Sequence, residues 1–366
     1  MQKYFSLIIK ASQDFIRHTD DDVRQNAPVL NSFYESITNV YIPLLNMLER
    51  FEKEEKKIRI GLVLPPVLCN MLSDDYLKEA YVKWLDKRID LGKAELKRNN
   101  EEEAVCNVIR SVVEENKARK ADFLNKYESS LIPAFAKYMQ NGYLELLGTC
   151  GTDIFMPHFA DMKEVICAQI ESGLHAYRQY FGIVPEGFWL PELGYAPGVE
   201  KFIRAYGYTY TILDSRSVLL AEKVPSSGIF YPCRTDNSLV VFARNRVIDG
   251  ELFGENGIIF NSCYRNQNRD IGYESPMEQL SLVMEKGGIR YSTGYKYWNR
   301  HFSDEKHALY NEEEAKKQCE SDAEAFVNKR LETLSKAESL LPDYSFVSDL
   351  CVLDISRLSN TWYESM

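Results

Sequence analysis

The residues with the clearest potential for chemistry surround Glu192. From Gly187 to Tyr195 the chain reads Gly-Phe-Trp-Leu-Pro-Glu-Leu-Gly-Tyr. A short apolar strand, a proline and then a carboxylate is the arrangement by which an α/β barrel presents a catalytic acid at the carboxyl end of a strand. A second apolar run, residues 209–213, leads in the same way to Asp214. The alternative interpretation of Glu192 is a solvated loop residue, which the same spacing allows.

Apolar runs alternate with amphipathic segments along most of the chain. We interpret seven apolar runs as strands, at residues 4–9, 58–64, 143–147, 188–190, 209–213, 239–242 and 346–353. Helical periodicity marks segments between them, most clearly residues 32–52, 162–180, 199–206 and 312–340. This alternation predicts a mostly parallel α/β fold.

Residues 74–140 interrupt this alternation. The segment has a helical pattern and is highly charged, with an acidic run at 101–103 and a basic run at 117–120. A binding surface would need one sign of charge to dominate, so we interpret these charges as a solvated helix face. The sequence therefore predicts a first part of a barrel at residues 1–73, a helical insertion at 74–140 and the rest of the barrel at 141–366.

Composition and charge argue against several functional classes. The 366 residues carry a formal net charge of −10, which repels nucleic acid and anionic membranes. The chain contains neither a Gly-x-Gly-x-x-Gly nor a Walker loop, and its apolar run at 5–9 is too short to span a membrane. The eight cysteines form no Cys-x-x-Cys pair, and no histidine stands at metal-ligand spacing. We expect a cytoplasmic protein without cofactor or metal that binds neither nucleic acid nor membranes.

Four stretches of the chain resemble glycoside hydrolase family 57, and most closely its α-1,4-glucan branching enzymes. They lie at residues 33–45, 144–152, 189–192 (Trp-Leu-Pro-Glu) and 292–298 (Ser-Thr-Gly-Tyr-Lys-Tyr-Trp). Because they occur in the family's order and spacing, the resemblance extends over most of the chain. It implies an incomplete (β/α)7 barrel with a helical insertion, an amylose-like or glycogen-like α-glucan as substrate, and a retaining mechanism with two carboxylates.

The resemblance also suggests which carboxylates these are. Glu192 falls on the family's nucleophile. The family's general acid and base lies in a Tyr-Asp-x-Glu-Leu-Phe-Gly pattern at the end of a late strand, and Asp354 occupies that place here. A competing match, from Asp249 to Gly254, copies the letters more closely, but it precedes the Thr-Gly-x-Lys-Tyr stretch that the acid is expected to follow. We therefore predict Asp354 inside the pocket and both Asp249 and Glu251 outside it.

Charged residues replace several histidines that the family has at this site. A His-x-His-Leu-Pro pattern is replaced by Lys10 and the four residues after it, and a Thr-His pair by threonine followed by Asp153. Where Asp-x-His is expected, the chain has Asp214, a serine and Arg216. We expect Asp153 and Asp214 to lie near the two catalytic carboxylates. Lys10 or Arg216 would then neutralise part of the charge, because clustered carboxylates raise one another's pKa.

Aromatic residues near the motifs can stack on the apolar faces of sugar rings. The candidates for substrate binding are Trp189, Tyr195, Trp298 and Trp362. The alternative for each of them is packing in the core.

The sequence leaves three functions open. The first is an α-glucan-active enzyme, and the second is a catalytically degenerate barrel that binds glucan or a protein partner. The third, a metal-dependent deacetylase on a related barrel, is disfavoured because an Asp and two His at ligand spacing are not visible. The chain ends at Met366 without the family's carboxyl-terminal helical domain, which leaves room for a second polypeptide to complete the cleft.

Overall fold

The computed structural model of the chain describes residues 1–16, 27–285, 287–300 and 308–354. The candidate Trp362 lies outside the described residues, as do the positions that follow Asp354 in the predicted acid motif.

Two four-stranded sheets carry the fold. Their orders are β3-β2-β1-β8 and β4-β5-β7-β6, and every pairing is parallel except β6 with β7. The strands are β1 Gln2–Lys10, β2 Ile60–Val63, β3 Leu144–Leu147, β4 Gly187–Phe188, β5 Tyr210–Asp214, β6 Cys233–Arg234, β7 Val240–Arg244 and β8 Phe346–Asp354. All seven apolar runs interpreted as strands contain or overlap one, whereas the two-residue β6 was not predicted.

The two sheets join to make a ring of seven parallel strands. At the β3–β4 seam, Gly148 and Phe188 form a parallel bridge, and the Trp189 N–H donates to the Gly148 carbonyl at 2.7 Å. At the β7–β8 seam, the Asn245 N–H donates to the Leu350 carbonyl at 2.8 Å. Side chains from all seven strands or from the residue after a strand meet inside the ring, among them Ile8, Val63, Leu147, Trp189, Ile212, Phe242 and Leu350. The interior is thus packed like that of an α/β barrel.

Helices surround the ring and connect its strands. They are α1 Ala27–Ser36, α2 Ile42–Lys53, α3 Pro66–Ser73, α4 Asp75–Arg98, α5 Glu103–Ala121, α6 Ile132–Gln140, α7 Lys163–Phe181, α8 Val199–Ala205, α9 Ser215–Leu219, α10 Val247–Phe253, α11 Ile271–Glu274 and α12 Glu312–Leu340. Short π-helices at Ile37–Tyr41 and Asp122–Lys126 continue α1 and α5. None of the helices in the described ranges combines the length and apolar character that crossing a bilayer needs.

The segment predicted as an insertion contains α4, α5 and α6. The Asp74 carboxylate caps α4 by accepting a hydrogen bond from the Leu77 N–H at 3.0 Å, as an N-cap aspartate should. Four residues separate α4 from α5, and the two helices pack along each other as a hairpin. Helix α6 instead packs against β3, α2 and α3 of the barrel. The boundaries of the insertion stay a prediction.

Candidate active site

A pocket of about 170 Å³ opens at the carboxyl ends of the barrel strands. Its walls come from the ends of β1, β7 and β8 and from the segments that follow β4 and β7. The lining residues are Lys10, Trp189, Glu192, Leu193, Arg244, Asp249, Phe253, Val352 and Asp354. This is the face on which α/β barrels carry their active sites, because the strand ends hold distant side chains at fixed positions.

Glu192 sits in a strained turn directly after β4. Pro191 begins a single helical turn, but Glu192 and Leu193 both have φ of 53°, which is the left-handed region. Such a conformation costs a non-glycine residue on the order of 1–3 kcal/mol and persists only where the surrounding structure imposes it. Leu193 packs against the barrel interior, while 67% of the Glu192 side chain stays exposed. The turn therefore directs the carboxylate into the pocket rather than into the core.

Lys10 links the two carboxylates named by the sequence. Its Nζ lies 3.0 Å from Glu192 Oε1 and 3.8 Å from Asp354 Oδ2, and its side chain is 7% exposed. These two oxygens therefore lie no farther apart than the sum of the distances, about 6.8 Å. Burial acts to lower the pKa of Lys10, but the hydrogen bond to Glu192 and the nearby carboxylates outweigh it and raise the pKa. Lys10 is thus placed where the sequence predicted a compensating cation.

Asp153 borders the same group of charges. Partial burial of the carboxyl raises the pKa of Asp153, although the residue as a whole keeps an exposed surface. The Lys10 charge lowers this pKa, and the Glu192 and Asp354 carboxylates raise it. Asp153 itself lines a neighbouring open depression together with residues 12–14 and one face of α1. The pKa of Asp153 is thus raised, but burial contributes more to this rise than the neighbouring carboxylates do.

Arg244 organises a second side of the pocket, at the end of β7, and the sequence reasoning missed it. Its Nε and Nη2 donate to Asp214 Oδ2 at 3.1 and 3.0 Å, and Nη2 also lies 3.1 Å from Asp249 Oδ2. Arg216 donates to the other Asp214 oxygen at 2.9 Å. Burial acts to raise the pKa of Asp214, yet the two guanidinium groups together lower it. Asp214 and Arg216 therefore belong to an ion-pair network behind the pocket lining.

The prediction that Asp249 lies outside the pocket is wrong. Helix α10 begins three residues after β7 ends, so Asp249 in its first turn stays at the carboxyl end of the strand and lines the pocket. Glu251, two residues farther on, turns toward α12, where it pairs with Arg330 at 2.5 Å and Lys329 at 2.8 Å. Glu251 does lie outside the pocket. A helix separates residues two apart by roughly half a turn, which explains the different environments.

A buried polar network between α10, α12 and β8 supports the segment that carries Arg244. The Asn245 side chain donates to Asp349 Oδ1 at 2.9 Å, and Arg330 Nε lies 3.8 Å from Asp349 Oδ2. Burial raises the pKa of Asp349, while the Asn245 hydrogen bond and the Arg330 charge lower it. Together with the Arg330–Glu251 pair, these contacts tie α10, α12 and β8 together at the β7–β8 seam. They hold the segment that carries Arg244 and Asp249.

The aromatic candidates divide between pocket and scaffold. Trp189 lines the pocket and is 3% exposed. Tyr195 is absent from the lining, and its hydroxyl donates to Glu200 at 3.0 Å. Trp298 also lies away from the pocket, where its ring stacks with the Arg269 guanidinium at 5.1 Å. Trp189 is thus the member of these three that reaches the pocket lining, but its ring is packed in the barrel interior, as the core alternative predicts.

Hydrogen bonds that involve buried side chains hold the stretch that contains Trp298 in place. The buried Asp270 carboxylate accepts hydrogen bonds from the backbone of Thr293 and Gly294, both at 2.9 Å. Lys296 donates to Gln267 at 2.6 Å, and burial lowers its pKa. No group of three His, Cys, Asp or Glu side chains within the described ranges is arranged to hold a metal ion.

Comparison with known proteins identifies relatives of the whole barrel. The family model described as glycosyl hydrolase family 57 matches residues 6–348. The 1,4-alpha-glucan branching enzyme TK1436 of Thermococcus kodakarensis is 29% identical over 247 residues, which span 58% of this chain and 35% of that protein. The chain thus spans about a third of this curated relative.

Solved structures agree with the fold. The alpha-amylase AmyC from Thermotoga maritima superposes with a TM-score of 0.89 at 25% identity, covering 98% of this chain and 68% of that one. The GH57-type branching enzyme from Pyrococcus horikoshii gives a TM-score of 0.82 at 21% identity, covering 99% and 65% respectively. The predicted α/β fold, an incomplete (β/α)7 barrel with helices around it, is confirmed.

Proposed function

Because the chain belongs to glycosyl hydrolase family 57, we propose that it acts on α-glucans by a retaining mechanism with Glu192 as nucleophile. The observation that carries the proposal is the Glu192 carboxylate in a strained turn, facing two further carboxylates, Asp249 and Asp354, across one small pocket. A retaining enzyme needs two carboxyl groups roughly 5 to 5.5 Å apart. The bound of about 6.8 Å between Glu192 Oε1 and Asp354 Oδ2 is compatible with that spacing.

We assign the general acid and base to Asp249 ahead of Asp354. Asp249 lines the pocket, follows the letters Asp-x-Glu-Leu-Phe-Gly, and lies within the residues that the family model matches. Asp354 lies six residues beyond that match, and its support is its place at the end of β8 beside Lys10. Asp354 then serves as the second acidic neighbour of Lys10, and it stays the alternative acid.

The steps follow from these positions. The acid protonates the glycosidic oxygen while Glu192 attacks the anomeric carbon, which forms a glycosyl ester and releases the first part of the glucan. The same residue, now a base, takes a proton from the incoming hydroxyl, which displaces Glu192 and restores its carboxylate. A water molecule as acceptor gives hydrolysis, and a glucan hydroxyl gives branching. Lys10 forms an ion pair with Glu192 in the pocket, and Arg244 contacts Asp249 and restrains its orientation.

A second candidate is a degenerate barrel that binds glucan or a protein partner without turnover. What favours it is the replacement of the motif histidines: Lys10 fills one of their places with a charge that ion-pairs with the nucleophile. The described histidines, His158 and His175, are absent from the pocket lining. Each lost hydrogen bond to the transition state can cost on the order of 1–3 kcal/mol, which predicts a low rate even for an active enzyme.

Turnover of amylose by three variants tests the proposal. We expect Glu192→Gln to lower turnover by about a thousandfold or more while preserving folding, because the amide keeps the shape but cannot form the ester. Asp249→Asn should lower turnover similarly and regain activity on α-glucosyl fluoride, whose leaving group needs no proton. Asp161→Asn, a surface change outside the pocket, is the matched control.

The outcome also decides between the two acids. Rescue by the fluoride in Asp354→Asn instead of Asp249→Asn would transfer the acid role to Asp354. Equal background in the wild type and in all variants, measured by iodine staining and by reducing ends, would favour the binding barrel.

A further inference from the structure

A cavity distinct from the Glu192 pocket lies between α1, α4 and a segment formed by residues 283–285 and 287–293, called here the 283–293 segment. Its volume is about 320 Å³, and it shares no lining residue with the Glu192 pocket. Its walls are mostly apolar, with Leu30 from α1, Ala80 and Trp84 from α4, and Ile289 from the 283–293 segment. Cavities of this size and character are typical of sites for small organic molecules.

The walls of this cavity are held in place by a buried arginine. The Arg88 guanidinium is 4% exposed and donates to Glu35 Oε1 at 2.7 Å and to the Ser292 carbonyl at 3.1 Å. Its Cζ lies 3.8 Å from the Trp84 ring centroid, and the Trp84 indole N–H donates to Asn31 Oδ1 at 3.0 Å. These contacts connect α1, α4 and the 283–293 segment, so the cavity is preformed.

Two lysines give the mouth of the cavity a positive charge. Lys83 and Lys87 lie one turn apart on α4, both line the cavity, and both are exposed. Neither has an acidic partner within the described ranges, in contrast to Lys78, Lys93 and Lys120, which pair with Asp75, Asp90 and Asp86. Glu285 is the carboxylate in the lining, and it has an interaction of its own. An apolar interior beneath two unneutralised lysines suits an anion.

The mostly apolar wall of the cavity also contains the buried hydroxyl group of Tyr34. Tyr34 lines the cavity and is 1% exposed, yet its hydroxyl has no hydrogen-bond partner among the described residues. Buried polar groups in folded proteins nearly always have a partner. Because the hydroxyl exposes almost no surface to the cavity, it belongs to the wall and is not a contact point for a ligand.

We propose that this cavity binds an organic anion with an aromatic or branched apolar body that carries a carboxylate, sulfonate or phosphate group. The apolar body fills the space between Leu30, Ala80 and Ile289, and the anionic group meets Lys83 and Lys87. An uncharged glucan fits this cavity less well, because sugar hydroxyls would face mostly apolar walls without hydrogen-bond partners. The proposal does not rest on the proposed glucan activity.

Paired fluorescent probes test the site on the full chain. The anionic probe is 8-anilinonaphthalene-1-sulfonate, and the neutral probe is N-phenyl-1-naphthylamine, which has the same apolar body. We expect the wild type to bind the anionic probe saturably at one site. The Lys83→Gln/Lys87→Gln double variant should bind it about tenfold more weakly, while binding of the neutral probe stays unchanged. Ala80→Phe, which fills the cavity, should remove the binding of both probes.

A second pair of lysines provides the control. Lys93→Gln/Lys97→Gln has the same spacing on the same helix but lies outside the cavity lining, so it should leave both affinities unchanged. An equal loss in this control would assign the effect to general surface charge and overturn the proposal. So would wild-type affinity in the Lys83→Gln/Lys87→Gln variant, or unchanged binding in Ala80→Phe. The lysine variants alter only exposed side chains and should fold normally. They therefore test the proposal even if Ala80→Phe fails to fold.

Discussion

The two sides of the Glu192 pocket carry their cations differently. On one side, Lys10 contacts Glu192, most of whose side chain is in solvent, through a single ammonium group. On the other, the Arg244 guanidinium bridges Asp214 and Asp249 with three contacts of 3.0 to 3.1 Å. A guanidinium holds its partners in a fixed geometry, whereas an ammonium is a point charge on a flexible stem. We infer that the Arg244 side is a rigid support and that the Lys10 side can rearrange when substrate enters.

The largest loss of stability is expected from a change at Arg330, whose ion pairs anchor the Arg244 side of the pocket. Arg330→Met leaves Glu251 and the buried Asp349 without their shared cation, and breaking a buried pair in this way costs about 3–5 kcal/mol. Urea unfolding monitored by circular dichroism measures the change in the free energy of unfolding. Lys329→Met is the control: its side chain is 57% exposed, and it contacts the same Glu251. Equal effects of the two substitutions would show that the seam does not support the rigid side.

The two pocket cations should differ in their contribution to stability. Arg244→Met removes two hydrogen bonds from Asp214, whose side chain is 10% exposed, and should lower the free energy of unfolding by about 2 kcal/mol. Lys10→Met should cost about 1 kcal/mol or less, because water can replace its contact with the exposed Glu192 carboxylate.

Arg216→Met provides the control for Arg244→Met, since it contacts the same Asp214 from a side chain that is 62% exposed. It should lower the free energy of unfolding by less than about 1 kcal/mol. A Lys10→Met variant that is less stable than Arg244→Met would reverse the comparison between the two sides.

The smallest effect we expect is on the pH dependence of the free energy of unfolding. The carboxylates of Asp214 and Asp153, one on each side of the pocket, should contribute to it with opposite sign. The pKa of Asp214 is lowered, so its carboxylate stabilises the fold above its unfolded pKa of about 3.8 and loses that contribution as the pH falls through the folded value. Asp214→Asn should therefore destabilise the protein at pH 7 and do so less at about pH 2.5, which lies below the unfolded pKa. The pKa of Asp153 is raised, so its carboxylate opposes folding at neutral pH, and this cost disappears in acid.

Asp153→Asn should consequently stabilise the protein at pH 7, with little gain at about pH 2.5. Urea titrations of both variants and the wild type at the two pH values measure these differences. Shifts of the same sign in both variants would contradict the opposite charge environments of the two sides.

Local patterns in the sequence were enough to predict much of the barrel. Runs such as residues 346–353 are mostly apolar, with Ser348 and Asp349 as the exceptions, because a strand inside a parallel sheet is buried on both faces. The turn with Glu192 was recognisable because proline followed by a charged residue ends an apolar strand. The barrel architecture itself followed from the family resemblance. The two-residue β6 was not predicted, since two residues carry no periodicity.

The composition of the pocket was harder to predict. Asp249 was placed outside because its order along the chain was weighed above the match of its motif. Arg244 ends β7 as one charged residue after an apolar run, and nothing local distinguishes it from a solvated arginine. Trp298 and Tyr195 had the residue types that bind sugars, but tertiary contacts gave them other partners. The roles of Glu192, Asp249 and Asp354 stay proposals that the variants described above can test.

The sequence by itself determined seven strand segments, the longer helices, the family and the exposed acid that follows Trp-Leu-Pro, because these depend on neighbouring residues and on a recognisable order of motifs. Only the tertiary structure decided which charges meet. Lys10, Arg244, Asp249 and Asp354 are up to 344 residues apart along the chain, yet all lie at one end of the ring. Their proximity depends on which strands become neighbours when the barrel closes, and no local pattern carries that information.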